Sequence, residues 1–259
     1  PREHGAAPAR GDGRVEAPSD NATTRTHKRP LGRSCPMPSV FIARRDAPRC
    51  HQAQAQIEAS RDWRMMGCAE SLYRARAAVP RLDPDTLLID LRMEDGAALS
   101  LVHQLREQQR NERPRVMLVA ADPCDPLLFS TLASGADAYL LESELATASS
   151  ALLRMMAGEA AMASPLARQA LQFFGEALGS SLDAAHDDRD LDWQTDAANP
   201  MRLSPGERRL VQLLAQGLRA ATIAGRMAVS VESIGRRIGM IYRKIRWDVS
   251  SGALALMAA

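Results

Sequence analysis

Short apolar runs of strand length recur through the middle of this 259-residue chain, each separated from the next by a stretch with helical spacing. The runs are SVFIA (39–43), the segment around 63–68, TLLID (86–90), VMLVA (116–120) and AYLL (138–141). Helical spacing appears over residues 47–59, 69–79, 97–109, 126–133 and 144–156. Strands alternating with helices of this length require a parallel sheet, because each parallel crossover needs a helix to carry the chain back over a face. The expected fold is therefore an α/β doubly wound five-stranded parallel sheet. Its working site should lie at the carboxyl ends of the strands near the switch in strand order. The residues that end the first, third, fourth and fifth runs are the ones to inspect.

Length and charge divide the chain further. At 259 residues it exceeds one ordinary domain of ~100–200 residues. Residues 1–37 carry seven basic and four acidic side chains among Pro, Gly, Ala and Thr, a composition that buries no core and reads as a disordered basic tail. Such a tail is either a nucleic-acid-binding arm or upstream sequence, the second reading following from Met37 just before the first apolar run. Residues 38–178, with 15 basic and 18 acidic side chains, form the α/β domain. Residues 179–202 read as an acidic linker containing six aspartates. Residues 203–259 carry nine basic and three acidic side chains, the sign suited to a surface that meets phosphates.

That last segment has the punctuation of a small all-α unit. LSPGERRLVQLLAQG (203–217) opens with Ser204 as N-cap, Pro205 at the first helical position and Glu207 three residues after the cap, and closes on Gly217. A second helix near 219–227 and a tight turn through Ala228 and Val229 lead to Ser230, another N-cap. A third helix is expected from 231 to 245, with Ile234, Ile238, Ile241 and Ile245 as its core stripe, Tyr242 at the border of that stripe, and Ser233, Arg236, Arg237, Met240, Arg243 and Lys244 away from it. Two helices, a short turn and a basic third helix are what a major-groove reader needs. The pattern resembles the four-helix LuxR-type domain, and that resemblance implies a fourth helix over 249–259, with which the apolar character of the stretch agrees. Read as structure alone, the same helices make an interaction bundle with a solvated basic face.

The segments DPDTLLIDLRM (83–93) and SGADAYLL (134–141) resemble response-regulator receiver domains, which are flavodoxin-like. With GLRAATIA (217–224) and IYRKI (241–245), the chain is similar over about residues 39–255 to the NarL/FixJ group, whose output half is a LuxR-type helix-turn-helix. The resemblance implies that Asp90 stands at the phospho-accepting position. It also implies an acidic pair that holds Mg²⁺, a hydroxyl and a lysine, yet those positions here are Arg44 and Arg45, Ala120, and Glu142. Mg²⁺ prefers near-octahedral oxygen ligation, and a guanidinium ~4 Å from a divalent ion at an effective dielectric of ~20 opposes it by roughly 8 kcal/mol. The pocket is therefore expected to bind no metal. Either its charges, which sum to zero over Arg44, Arg45, Asp90 and Glu142, satisfy one another, or the arginines extend to solvent.

On the output side, the lysines that touch DNA in the NarL type correspond to Gly235 and Gly239, and Thr222 replaces a usual Glu. DNA reading is then expected from Arg236 at a base edge with Ser233 and Arg237 beside it, and phosphate contacts from Arg243, Lys244 and Arg226. The function implied is a DNA-binding transcription regulator, a cytoplasmic homodimer on double-stranded DNA, working without phosphorylation. The alternative is an interaction protein that dimerises with, or sequesters, another regulator or sensor. No catalytic nucleophile–base pair, cofactor motif, metal cluster or membrane-length apolar run is present, so an enzyme is not expected. Cys35, Cys50, Cys68 and Cys124 lack a C-x-x-C spacing, and no disulfide framework is expected.

Overall fold

The computed structural model describes residues 37–107, 113–176, 188, 191–194 and 201–257, with side chains through 249; the tail before Met37 and most of the acidic linker lie outside the described residues. Five strands form one parallel sheet: β1 (Ser39–Ala43), β2 (Arg64–Ala69), β3 (Thr86–Asp90), β6 (Arg115–Ala120) and β7 (Ala138–Leu141), in the order β2-β1-β3-β6-β7. The short strands β4 (Arg92–Met93) and β5 (Gly96–Ala97) pair antiparallel as a hairpin. Strands β1 and β3 are buried along their full length, as strands covered on both faces must be.

The covering helices are α1 (Ala47–Glu58), α2 (Leu72–Leu82), α3 (Ala98–Glu107), α4 (Pro126–Ser134) and α5 (Ala148–Met156). Their starts follow from capping chemistry. Asp46 accepts from the Arg49 amide with Pro48 in the first turn of α1, and Asp125 accepts from the Leu127 amide ahead of Pro126 in α4. Asp95, from the hairpin, accepts from the amides of Leu72 and Tyr73 and so ties the loop after Asp90 to the start of α2. The helix expected over 144–156 divides into a 3-10 turn (Glu142–Thr147) and α5. A further helix, α6 (Ser164–Phe173), buries Leu166, Ala167, Ala170 and Leu171 and packs on the C-terminal unit.

In that unit α7 (Pro205–Ala215) carries the expected capping box: the Ser204 amide donates to Glu207 Oε2 at 2.8 Å and the Glu207 amide to Ser204 Oγ at 3.3 Å. Helix α8 (Ala220–Arg226) follows, and the turn to the next helix takes Ala228 through φ 51°, where a Cβ is disfavoured. Helix α9 then runs unbroken from Val231 to Met257. This corrects the expectation of separate third and fourth helices. Arg246, Trp247 and Asp248 supply no proline or glycine to stop the helix.

Ile234, Ile238, Ile241 and Ile245 are buried as expected, but Tyr242 is buried too, not at a border. A second face of α9 is covered by the segment that follows α5. The Tyr242 hydroxyl donates to Ala161 O at 2.9 Å, and the Ala160 amide donates to Gly235 O at 3.0 Å. Cys50 and Cys68 are joined by a disulfide between α1 and β2, correcting the expectation of none; only the fold brings positions 18 apart together.

Candidate functional site

The strand order makes β1 and β3 neighbours, so the chain leaves them in opposite directions and opens a crevice at their carboxyl ends. Asp90 ends β3 there and is buried. Arg44 is the first residue after β1; its amide donates to Ala69 O at 3.0 Å, which fixes the backbone, and its side chain is fully buried. From that anchor Arg44 Nε reaches Asp90 Oδ1 at 2.6 Å and Nη2 reaches the two Glu142 carboxylate oxygens at 2.8 and 2.6 Å. One guanidinium thus spans the carboxylates that end β3 and follow β7.

Arg45 behaves differently from its neighbour. Its amide donates to Asp90 Oδ2 at 2.9 Å, whereas its side chain is 37% exposed and lies 3.8 Å from the same oxygen. Of the two expectations for the arginine pair, Arg44 follows the internal ion pair, and Arg45, half-buried, keeps a longer contact to the same carboxylate. Arg49, on the first turn of α1, adds a longer contact to Glu142 at 3.7 Å and pairs with Asp46. Ala120 ends β6 beside Asp90, buried and without a hydroxyl. Burial is the largest influence on the Asp90 carboxyl and pushes it upward, while Arg44 and the Arg45 amide draw it back.

The receiver resemblance implies Mg²⁺ at this place, and the donor set does not fit it. The Asp90 oxygen facing the crevice is 2.6 Å from a guanidinium nitrogen, and the carboxylate of Glu142 is held by the other end of the same group. A hard dication needs oxygen ligands, and here a fixed positive charge fills the space between the two carboxylates. Among the described residues no cluster of three His, Cys, Asp or Glu side chains is arranged to hold a metal.

The helical surface divides the six basic and polar candidates by face. Arg236 and Arg243 lie on an exposed stripe of α9 that also carries Met240 and Trp247. Ser233 is half-buried in the first turn, its amide donating to Ser230 Oγ. The remaining three have partners. The Arg237 guanidinium lies 3.5 Å over the Trp193 ring of the linker, and its desolvation lowers its pKa. Lys244 contacts Glu207 Oε2 at 2.5 Å, and Arg226 contacts Asp188 at 3.2 Å, with Arg209 on the same carboxylate at 2.8 Å. The linker therefore places Trp193 and Asp188 on the basic unit, a role its acidic composition alone did not indicate.

Gly235 and Gly239 have a structural use that spacing could not reveal. A Cβ on Gly239 would sit 2.2 Å from Gly158 O, and one on Gly235 would sit 3.2 Å from the Glu159 side chain. The helix thus presents bare backbone to the segment after α5.

The chain thus joins a doubly wound sheet, with an aspartate at the end of its third strand, to a helical unit that opens on a capping box. Over 213 residues, 81% of this chain and 90% of the relative, the sequence is 27% identical to the nitrate/nitrite response regulator protein NarL of Escherichia coli strain K12, and equally to that of strain O6:H1. The chain is similar in both of its halves to that regulator. No protein-family model matches it. Among solved structures, it overlays on the two-component response regulator RcsB in complex with DNA with 18% identity, 82% of this chain and 98% of that one covered, and a TM-score of 0.45. RcsB from Salmonella enterica serovar Typhimurium, bound to a promoter in the presence of the phosphomimetic BeF₃⁻, gives 18% identity, 81% and 92% coverage, and a TM-score of 0.45.

Proposed function

We propose that this protein is a DNA-binding transcription regulator of the response-regulator type whose receiver half works without phosphorylation at Asp90. The observation that carries the reading is Arg44, buried between Asp90 and Glu142. In a phosphoryl-accepting site, charge developing on the transferred group is met by a metal and by donors that are open to it. Here the guanidinium already fills that electrostatic role toward both carboxylates, so the pocket has one stable arrangement and needs no incoming phosphate. NarL, which this chain resembles along both halves, is named as a response regulator, and that likeness supports the assignment to regulation and not to catalysis.

Double-stranded DNA is the ligand that the second half suits, and a homodimer is the form in which it binds. Arg236 is the residue to read a base edge, with Ser233 beside it and Arg243 on a phosphate. Arg237, Arg226 and Lys244 join only if their contacts to Trp193, Asp188 and Glu207 are exchanged for DNA. The arrangement described is then a closed one, with one face of α9 held on Gly158–Ala161 and a second under the linker. No described helix is long and apolar enough to cross a membrane, and the cytoplasm is the compartment this reading assigns. The same three internally paired cations favour a second reading, an interaction protein that never reads DNA.

The deciding measurement is duplex binding by the unmodified protein, selected from random sequence and followed by genome-wide occupancy. Selected sites that lose their base preference in Arg236→Ala support the reading. Absence of duplex binding at low salt, with the protein folded, replaces it with the interaction protein.

A further inference from the structure

Where the edge strand β7 meets the helical unit, two adjoining cavities of about 270 and 390 Å³ share Tyr139, Glu144, Arg154, Ala160 and Ala161 and so make one cleft. The larger part is lined by the end of β7, the segment after α5, and residues of α7, α8 and α9. Its apolar wall is formed by Leu141, Met162, Leu214, Leu218, Val231 and Ile238. Val231 opens α9 and is left 39% exposed on this wall.

The polar groups of the cleft divide into those with partners and those without. Glu159 is held by Arg154 at 2.9 Å, and Glu144 accepts from the Leu141 amide at 3.2 Å. Arg219, just ahead of α8, makes no ion pair among the described residues. Tyr139 is buried, and its hydroxyl oxygen accepts at 2.9 Å from the amide of Ala163, another lining residue. Among the described residues the Tyr139 O–H itself has no acceptor, and neither have the amides of Ala161 and Met162. The charges balance, Arg154 and Arg219 against Glu144 and Glu159, so the cleft selects by the groups it leaves free. Those groups are donors. A buried donor without an acceptor is unfavourable until a ligand oxygen meets it.

Size narrows the ligand further. An apolar cavity of ~150 Å³ accepts a benzene ring, so about 390 Å³ admits a body of roughly two fused rings. Apolar walls at the junction of two structural units, with a few convergent polar groups, are the usual form of a small-molecule site. We propose that this cleft binds an amphipathic organic acid, its ring body against Leu214, Leu218 and Val231, its carboxylate on Arg219 and an oxygen of its far end accepting from Tyr139. A ligand there touches the sheet edge and the helices together and holds the seam between them closed. None of these residues is assigned to DNA, so the proposal stands or falls apart from that reading.

The test is calorimetric titration of the full chain, without DNA, with benzoate, naphthoate, the methyl ester of naphthoate, and a methoxynaphthoate carrying its methoxy group opposite the carboxylate. Naphthoate should bind about tenfold more tightly than benzoate, because the second ring adds buried apolar area, and about tenfold more tightly than its ester. Arg219→Ala should bring acid and ester to equal affinity. Methoxynaphthoate should exceed naphthoate by about fivefold, and Tyr139→Phe should remove that advantage while leaving naphthoate within about twofold. A readout on the unaltered protein guards against misfolded variants: saturating methoxynaphthoate should slow amide exchange about tenfold at Met162, in the cleft, and at Ala160, bonded across the seam to Gly235, and leave Leu72 unchanged. No acid of the series binding at millimolar concentration, or no protection at Met162, overturns the site. An ester that binds as tightly as its acid overturns the carboxylate assignment, an unaltered methoxy advantage in Tyr139→Phe overturns the placement of the far end, and an unprotected Ala160 overturns closure.

Discussion

Gly239→Ala separates what a helix prefers from what its packing allows. In an isolated helix the change gains ~1 kcal/mol, because alanine loses less conformational freedom than glycine. Here the added Cβ meets Gly158 O at 2.2 Å, far inside van der Waals contact, and the obstacle is backbone that cannot rotate aside. Forcing extra volume into a packed contact costs ~1–3 kcal/mol, and the least costly relief is to lift α9 off the segment after α5. Gly225→Ala is the internal control, since nothing lies within 4 Å of its Cβ. The assay is amide hydrogen exchange at Ala160, whose N–H is bonded to Gly235 O across this contact. A loss of ~1–3 kcal/mol of docking corresponds to roughly 5- to 150-fold faster exchange at Ala160 in Gly239→Ala. Gly225→Ala should leave that amide unchanged and raise Tm by about 2–4 °C, as ~1 kcal/mol does at this size. Equal protection of Ala160 in both variants, with both more stable than the parent, would refute the argument that Gly239 exists for close approach.

Four further outcomes follow from the charges and bonds described. Arg44→Ala leaves Asp90 buried without its guanidinium and should cost ~3–5 kcal/mol in urea unfolding, whereas Arg45→Ala, on a side chain 37% exposed, should cost under ~1 kcal/mol. Lys244→Ala should destabilise the helical unit by about 1–3 kcal/mol, because Glu207 is buried and also caps α7, while Arg243→Ala should leave stability unchanged and instead shallow the salt dependence of any duplex binding. Reducing Cys50–Cys68, which closes a separation of 18 residues, should cost about 3 kcal/mol by chain entropy; an unaltered unfolding midpoint with dithiothreitol would show that the cross-link constrains little. Burial raises the Tyr139 phenol to about 12, so the fold favours its neutral form. Its contribution is complete below the ordinary value of 10 and falls away between pH 10 and 12, and Tyr139→Phe should remove that part of the alkaline loss in a thermal-unfolding series.

The elements that repeated a simple period were legible before the fold was known. The five apolar runs became the five parallel strands, and the Ser204–Glu207 box and the isoleucine stripe of α9 stand where spacing put them. These features are local, set by residues within a few positions of one another. What spacing could not resolve depends on partners distant in the chain. Arg44 and Arg45 are adjacent and chemically alike, and they are distinguished by long-range backbone bonds, the Arg44 amide to Ala69 O at the end of β2 and the Arg45 amide to Asp90. Cys50 and Cys68 become neighbours only when α1 packs on β2.

The two glycines of α9 show the same limit from the other side. As helix residues, they register as missing contacts and a loss of propensity. In the fold, Gly239 is where the Gly158 backbone arrives and Gly235 is where the Glu159 side chain rests, roles visible only once the residues after α5 are set against the helix. The arginines of the crevice and the glycines of the helix then bear on one question, since Arg44 gives Asp90 and Glu142 an internal partner and the two glycines let the segment after α5 close on the helix. On the proposed reading, the ion pair at the crevice does not oppose the closed seam, so opening is left to a ligand, a partner or DNA that binds the open form better. Arg44→Ala should therefore lower stability without speeding exchange at Ala160 beyond the global unfolding rate. Selective acceleration at Ala160 would mean that the crevice and the seam are coupled.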